Sequence, residues 1–307
     1  MSSKIKAVVV TFNPDIELLE KNIRAVYRFA GEVIIVDSGS KNLKEIVHLC
    51  ESAGPKVVSK PLGANLGIGK ALNEGVRAAG EFDWLLTLDQ DGVVLCDVAS
   101  IMRQAKNFNK LGAISLSYTK KRGSRKFAKV KYAGNSGLII NADAFGRGAR
   151  YREDFFMDQI DYDFCWQLRR MGYEIIATTE RCIDQRAGEL KNGKKGMLEP
   201  TWRQYLISRN STVLVLERKL DISMYILQYV NVFLSTALRR TSRTGRSALA
   251  LLKGFFCGFR GKGIDVGFMT RMAYAENKDF GKICFVLQKQ KGSLDKDQGI
   301  SKTLTPQ

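Results

Sequence analysis

The sequence predicts an α/β protein, with a mostly parallel central sheet in the N-terminal half and a helical, basic region towards the C-terminus. Three observations predict this. Short β-branched runs alternate with segments of helical period over residues 5–88. Three of those runs end in polar and acidic residues, and the last third sets apolar residues at helical spacing just ahead of an arginine cluster. Strands alternating with helices at this spacing give parallel pairs whose crossover helices cover both faces of the sheet.

Residues 5–10 form the first β-rich run, 17–30 have helical period, and 32–36 are again a strand. A helix over 43–52, a short strand over 56–59, a helix over 69–79 and a strand over 84–88 continue the pattern. The strand ends read Thr11-Phe12-Asn13, Asp37-Ser38-Gly39-Ser40 and Asp89-Gln90-Asp91-Gly92. Open α/β sheets bind ligands beyond the carboxyl ends of their strands, so three such ends predict one pocket. No GxGxxG or GK[ST] turn follows the first strand, which argues against a dinucleotide-dependent dehydrogenase or a P-loop enzyme.

From Gly112 the texture changes. Residues 113–118 read as one more strand and 119–129 as a solvated basic loop. A Gly-punctuated hairpin or bulged strand over 130–141 carries Gly134-Asn135-Ser136-Gly137, which could border an acceptor or simply turn the chain. Residues 161–170 begin a helix that Gly172 ends, and a loop with Gly188, Gly193 and Gly196 precedes a helix over 200–216 with Pro200 in its first turn. Over 222–238, Ile222, Tyr225, Ile226, Tyr229, Val230, Phe233 and Leu234 form an apolar stripe, with Ser223, Gln228, Asn231 and Ser235 opposite. Arg239, Arg240, Arg243, Arg246, Lys253, Arg260 and Lys262 follow with no acid among them. The 17 residues 222–238 include five polar side chains and fall short of the ~20 apolar residues a spanning helix needs. The tail after Gly292 is polar.

Composition narrows the class. With 307 residues, 45% hydrophobic and 26% charged, the chain has globular composition. Its net charge of +18 calls for a polyanionic partner: nucleic acid, an anionic membrane or phosphorylated substrates. Cys50, Cys96, Cys165, Cys182, Cys257 and Cys284 show no CxxC or zinc spacing, which predicts free thiols in a reducing compartment. The first strand follows residue 4 directly, so no signal peptide is expected.

Asp89-Gln90-Asp91 is the strongest local signal. Two carboxylates one residue apart at a strand end can share a hard divalent cation, and Mg²⁺ or Mn²⁺ takes such oxygens together with phosphate. A polar turn would use the same residues, so the motif alone decides little.

Its company decides more. Residues 8–14 (VVVTFNP), 34–40 (IIVDSGS), 65–75 (NLGIGKALNEG), 86–91 (LTLDQD) and 161–173, with Asp161-Tyr162-Asp163 and Leu168-Arg169-Arg170, stand in one order. In these motifs the chain resembles the family 2 inverting nucleotide-sugar glycosyltransferases of the GT-A fold, and within them the rhamnosyltransferases of bacterial surface polysaccharide and O-antigen synthesis. The resemblance covers about residues 4–215 and implies a domain arrangement. Residues 1–215 would be the GT-A catalytic domain, with a nucleotide-sugar half (1–111) and an acceptor and base half (112–215). Residues 216–292 would be a helical, basic, membrane-associating region, and 293–307 a disordered tail.

The resemblance also implies roles. Thr11 and Asn13 would border the nucleotide, and Asp37 would hydrogen-bond its base or ribose. Asn65 and the backbone of Gly67 and Gly69 would lie close to it, where missing side chains permit approach. Asp89 would lie near ribose and metal, with Asp91 the direct ligand of Mg²⁺ or Mn²⁺. Asp161 matches the base of the family's Glu-Asp pair, although Ile160 replaces the glutamate; Asp158 is a second candidate, and Asp163 reads better as a helix-capping or structural acid. Arg209, beside Asn210, would neutralise the diphosphate. The family's histidine after the base is absent; His48 lies on an early helix, so Asp184 or Gln185 would substitute.

The activity so implied is metal-dependent, inverting transfer of a sugar, rhamnose from dTDP-rhamnose being favoured, to a growing glycan on a lipid carrier. Other donors (UDP-hexose or UDP-galactofuranose) keep the fold. The enzyme would lie in the cytoplasm, peripheral on the anionic inner face of the cell membrane; the competing use of the apolar stripe is packing on the catalytic domain or on a second subunit, which would make a homo-oligomer. Nucleic acid is not an expected partner, because no known binding module or aromatic interleaving accompanies the cations. A nucleotidyltransferase would carry a Gly- and Lys/Arg-rich loop after the first strand, and Thr11-Phe12-Asn13-Pro14 is not one.

Overall fold

The computed structural model describes residues 4–120, 125–185, 201–237 and 244–261. The loop glycines 188–196, Pro200, Arg239, Arg240, Arg243, Lys262, Cys284 and the 293–307 tail lie outside them. Ten strands are described: β1 (Ile5–Thr11), β2 (Glu32–Asp37), β3 (Val57–Pro61), β4 (Trp84–Asp89), β5 (Gly92–Val94), β6 (Leu111–Ser117), β7 (Phe127–Lys129), β8 (Leu138–Asn141), β9 (Glu174–Arg181) and β10 (Ile183–Gln185). The described helices are α1 (Ile16–Tyr27), α2 (Leu43–Ala53), α3 (Ile68–Ala79), α4 (Val98–Ala105), α5 (Ala142–Gly146), α6 (Ile160–Arg170), α7 (Thr201–Leu216), α8 (Ile222–Ala237) and α9 (Thr244–Phe259).

One sheet of eight strands runs in the order β3-β2-β1-β4-β8-β6-β9-β7. Its first four strands are mutually parallel, as the strand–helix alternation predicts. β8 then enters antiparallel between β4 and β6, while β9 is parallel to β6 and β7 closes the edge antiparallel. Period-2 alternation sorts the core. Ala7, Val9, Val33, Ile35, Leu86 and Leu88 pack on one face under α1 and α2, whereas Val8, Ile34, Val36 and Leu85 meet α3, α6 and α7 on the other. Asp15 starts α1 by accepting from the Leu18 N–H at 3.1 Å.

Several elements differ from the sequence reading. Residues 127–129 are the edge strand β7, inside the segment expected as a basic loop. The strand expected over 130–141 is confined to Leu138–Asn141, because Gly134–Gly137 form the loop that reaches the end of β4.

The C-terminal helices are not an appendage. α9 lies against α7 at two glycines: a Cβ at Gly254 would stand 2.4 Å from the Tyr205 carbonyl oxygen, and one at Gly258 2.5 Å from that of Arg209. The Ser208 hydroxyl donates to the Leu251 carbonyl at 2.6 Å. α8 overturns the expected stripe. Its Tyr225 hydroxyl bonds Thr212 at 2.9 Å, Gln228 accepts from the Ser211 hydroxyl at 2.9 Å, and the Tyr229 hydroxyl meets Ser208. The hydroxyl-rich flank of α7 draws the polar tips inward and leaves Ile222, Ile226 and Val230 facing out. No helix among the described residues is long and apolar enough to cross a membrane.

Candidate active site

The carboxyl ends of β1, β2 and β4 meet, as predicted, and hydrogen bonds between neighbouring strand ends fix them. The Phe12 N–H donates to Gln90 Oε1 at 2.7 Å, and Gln90 Nε2 returns a bond to the Phe12 carbonyl at 3.4 Å. Asn22 on α1 donates to the Asp89 carbonyl at 2.9 Å. Asp37 is fully buried. Its Oδ1 accepts from the Thr11 hydroxyl at 3.1 Å and from the Ser40 hydroxyl, and its Oδ2 from the Gly39 and Ser40 N–H groups at 3.0 and 2.9 Å. With Thr11 equally buried, this pair shapes the Ser38–Ser40 turn at the strand ends. Asn13, exposed and in the left-handed region at φ 49°, holds the same turn from outside by accepting from the Lys41 N–H at 2.8 Å.

The glycines at the start of α3 admit a close approach of backbone. Gly67 adopts φ 93°, and a Cβ there would lie 2.5 Å from the Phe156 carbonyl; a Cβ at Gly69 would lie 2.0 Å from that of Arg152. Ile68 N–H donates to Phe156 at 2.6 Å, and Asn65, buried, accepts from the Gly67 N–H at 3.1 Å. The backbone they admit is the protein's own segment leading to α6.

That segment carries the acids. Phe156, Asp158 and Gln159 take φ of 60°, 60° and 66°, and three carbonyls at this bend, on Phe155, Met157 and Asp158, accept from Asn210 Nδ2 at 3.1, 2.9 and 3.1 Å. Non-glycine residues hold such angles only where surroundings enforce them. Arg203 on α7 grips Asp158, its Nε 3.1 Å from both carboxylate oxygens and its Nη2 3.0 Å from Oδ1. Burial raises the Asp158 carboxyl and Arg203 opposes the rise. Asp163 is buried and paired with Lys219 at 2.9 Å, with Gln167 donating at 2.6 Å, so it is structural. Arg209 is 3% exposed; it donates to Asn210 Oδ1 at 2.9 Å and lies over the Phe155 ring, beside the bend that leads to α6.

Asp161 stands apart. It opens α6, partly exposed, with Oδ1 accepting from the Tyr162 N–H at 3.0 Å, and a Cβ at Gly134 would lie 4.0 Å from its Oδ2. Burial lifts its carboxyl to about 7, and the charges of Asp158 and Asp89 add to the rise. Besides burial, the charges of Asp89, Asp91 and Asp161 raise the phenol of Tyr118. Tyr118 donates to the Ser136 carbonyl, while the Ser136 hydroxyl accepts from the Asp89 N–H at 3.0 Å. The Gly134–Gly137 loop therefore ties the β4 carboxylates to the acid of α6.

Asp89 and Asp91, both partly exposed, are hard oxygen donors at a strand end and suit Mg²⁺ or Mn²⁺ with phosphate oxygens completing the shell. No cluster of three or more His, Cys, Asp or Glu is found among the described residues. The antiparallel pairing of β5 with β10 sets Asp184 opposite Val93 and Gln185 opposite Gly92, directly after Asp91, where the substitute ligand was expected; Asp184 is itself engaged by Arg181. His48 is an exposed residue of α2. A separate cleft of about 760 Å³ opens at the other end of the strands, beside Ile5, Trp84 and Tyr173, remote from these groups.

Arg203, Asn210, Gln90, Ser136 and Tyr118 carry the site's order, and the sequence reading assigned none of them a role on its own. Only Gln90, Ser136 and Asn210 had a visible signal, as neighbours of singled-out residues.

Comparison with known proteins agrees with this architecture. The family model described as "Glycosyl transferase family 2" matches residues 7–174, more than half of the chain. No curated protein matches in sequence. Among solved structures, S. aureus TarS 1–349 superposes with a TM-score of 0.52 at 16% identity, covering 83% of this chain and 80% of that one. A longer TarS structure gives 0.52 at 14% identity over 76% of this chain, which spans only 44% of its length. GalNAc-T7 with UDP, GalNAc and Mn²⁺ gives 0.51 at 11% identity, covering 69% of this chain and 48% of that one. These likenesses bear on the fold, which is GT-A. The chain belongs to glycosyl transferase family 2.

Proposed function

We propose that the protein is an inverting glycosyltransferase in which Asp161 is the general base and the ends of β1, β2 and β4 hold a nucleotide-sugar donor. The observation that carries the reading is the Asp161 carboxyl, lifted to about 7 chiefly by burial and lying beside Gly134 of the loop that reaches the Asp89 end of β4. An acceptor hydroxyl is a poor nucleophile, and a base with a pKa near the working pH removes its proton most effectively. Asp161 would take that proton as the oxygen attacks the anomeric carbon, and the nucleoside diphosphate leaves from the opposite face. One base opposite one leaving group gives inversion.

Asp91, with Asp89, would hold a divalent cation. When bound, such an ion neutralises the charge that develops on the leaving diphosphate. Asp158, held by Arg203, would position the bend before α6, and Asp37 with Thr11 would shape the donor-side turn. Asn13, Asn65 and Gly67 would border the donor through that turn and the start of α3.

The favoured donor is dTDP-rhamnose and the favoured acceptor a lipid-carried glycan at the inner face of the cell membrane. The motif resemblance and the basic C-terminal region support this. A UDP-sugar is the second reading, favoured by the UDP and Mn²⁺ bound in the GalNAc-T7 structure. A thermal-shift screen of dTDP-, UDP- and GDP-sugars with Mn²⁺ tests the donor. The expected result is stabilisation by dTDP-rhamnose that needs Mn²⁺ and is lost in Asp91→Asn. A shift independent of Mn²⁺ and unchanged in Asp91→Asn would remove the metal role.

A further inference from the structure

The cleft at the amino ends of β1, β4 and β6 lies apart from the acids. Its volume is about 760 Å³, within the ~300–1,000 Å³ of small-molecule sites. Ile5, Trp84 and Leu111, the first residues of those strands, meet Asn141, the last residue of antiparallel β8. β4 runs six residues from Trp84 at the cleft to Asp89 at the acids, a span of about 17 Å at ~3.3 Å per residue. A small molecule seated beside Trp84 therefore does not reach Asp89.

The lining has two parts. Trp84, Met102 and Phe108, at the fringe of one core, and Met171 and Tyr173, of the other, give it an apolar and aromatic wall. Around this wall stand four exposed cations, Arg103, Lys106, Lys110 and Arg147, against one acid, Asp143. Arg103 is only loosely paired, 3.9 Å from Asp97, and neither Lys106 nor Lys110 has an ion-pair partner among the described residues. The Arg147 guanidinium lies over the Tyr173 ring, 5.2 Å from its centroid.

Hydrogen-bonding capacity narrows the ligand. The side-chain oxygens of the lining are largely used within the protein. Asn141 Oδ1 accepts from the Asp143 N–H at 3.0 Å, its Nδ2 donates to the Leu111 carbonyl at 3.1 Å, and the Tyr173 hydroxyl donates to the Asp143 carboxylate. Donors remain: the four cations and the indole N–H of Trp84, which has no partner among the described residues. A neutral sugar needs acceptors for its hydroxyls as well as donors, whereas an anion needs donors alone. Phosphate, with several charged oxygens, suits a cluster of Lys and Arg, and an aromatic wall suits a ring.

We infer that this cleft is a second binding site, separate from the candidate active site, for a small phosphate monoester carried on a ring, the ring lying against Trp84 and Phe108 and the phosphate meeting Lys106, Lys110, Arg103 and Arg147. Nucleoside monophosphates and aryl phosphates share this chemistry.

The test labels the full chain with fluorotryptophan and follows Trp84, Trp166 and Trp202 by fluorine NMR, each signal assigned by its Trp→Phe variant. The probes are phenyl phosphate, thymidine monophosphate, inorganic phosphate and the neutral phenyl glucoside. Phenyl phosphate should move the Trp84 signal saturably, with roughly tenfold weaker binding of inorganic phosphate and of the glucoside. Tighter binding of thymidine monophosphate than of phenyl phosphate would assign the site to nucleotides, and the reverse to aryl phosphates. Two variants locate the ligand: Lys106→Glu with Lys110→Glu reverses two charges, and Ala99→Tyr sets a ring in the cleft from α4. Each should weaken binding roughly tenfold or more without changing circular dichroism, since all three residues are exposed. A Trp84 signal unmoved by millimolar phenyl phosphate, glucoside binding as tight as that of the phosphate, or movement undiminished in both variants would overturn the site. Equal movement of all three signals would mean diffuse adsorption and overturn it too. Because the signal is read at Trp84, either result leaves the sugar-transfer reading where it stands.

Discussion

Replacing Asp161 by asparagine should do two opposite things, and the structure sets the size of both. The carboxyl has been lifted from an ordinary value of 3.8 to about 7, chiefly by burial. In the unfolded chain it ionises near 3.9, so between there and pH 7 folding must bind a proton, and above pH 7 it must bury a charge. The stability this group supplies is therefore present in full below about pH 4 and is lost as pH rises to about 7. About three pKa units correspond to ~4 kcal/mol at 1.36 kcal/mol each; because the residue is partly exposed, about 2–4 kcal/mol is the expected penalty at pH 8. The amide that replaces the carboxyl never carries the charge. Asp161→Asn should thus match the wild type in stability at pH 4 and exceed it at pH 8, by roughly 5 °C in Tm. It should also lose sugar transfer by about 10²–10⁴-fold, the usual contribution of a general base, while still binding donor. Thermal melts at the two pH values, product release and donor titration read all three quantities. Transfer within tenfold of wild type would refute the base assignment. So would an inactive Asp158→Asn beside an active Asp161→Asn, which would move the role to Asp158. Equal Tm at pH 8 would refute the buried-charge argument.

Two further outcomes follow from the packing around α7. Arg203→Ala leaves the largely buried Asp158 without its bidentate partner; since Arg203 is itself 40% exposed, about 1–3 kcal/mol is expected, below the ~3–5 of a fully buried pair, and chemical denaturation measures it. Gly258→Ala gains about 1 kcal/mol of helix propensity but sets a methyl 2.5 Å from a backbone oxygen that cannot swing aside. Overpacking of about 1–3 kcal/mol should win, and the midpoint of urea unfolding should fall.

The parallel half of the fold was legible because its strands alternate and its crossover helices are amphipathic, so β1 to β4 and α1 to α3 lie within a few residues of the expected bounds. β9 was not assigned, although Glu174-Ile175-Ile176-Ala177 has strand character directly after the helix-ending Gly172. β7 is three residues long at an edge, too short for any period to register. At the site, the acids were visible as motif residues. What holds them was not: Arg203 grips Asp158 across 45 residues, and Asn22 reaches Asp89 across 67. On α8 the hydropathy stripe alone left membrane, catalytic domain and second subunit open; its Tyr225 and Tyr229 turn inward because α7 presents Ser208, Ser211 and Thr212.

The glycine-mediated seating of α9 on α7 separates two boundaries that are easily confused. The family match ends at residue 174, before α7 begins. Yet α7 anchors the bend before the candidate base on one side, through Arg203 and Asn210, and lies beneath Gly254 and Gly258 on the other. A chain cut after residue 215 would keep every residue of the matched region and strip the cover from a helix whose Ser208, Arg209, Asn210, Ser211 and Thr212 are all buried. The matched region ends well short of the helices that hold the candidate base, so the smallest active fragment should extend through α9, and swaps of specificity between relatives should carry α7 to α9 along with the sheet.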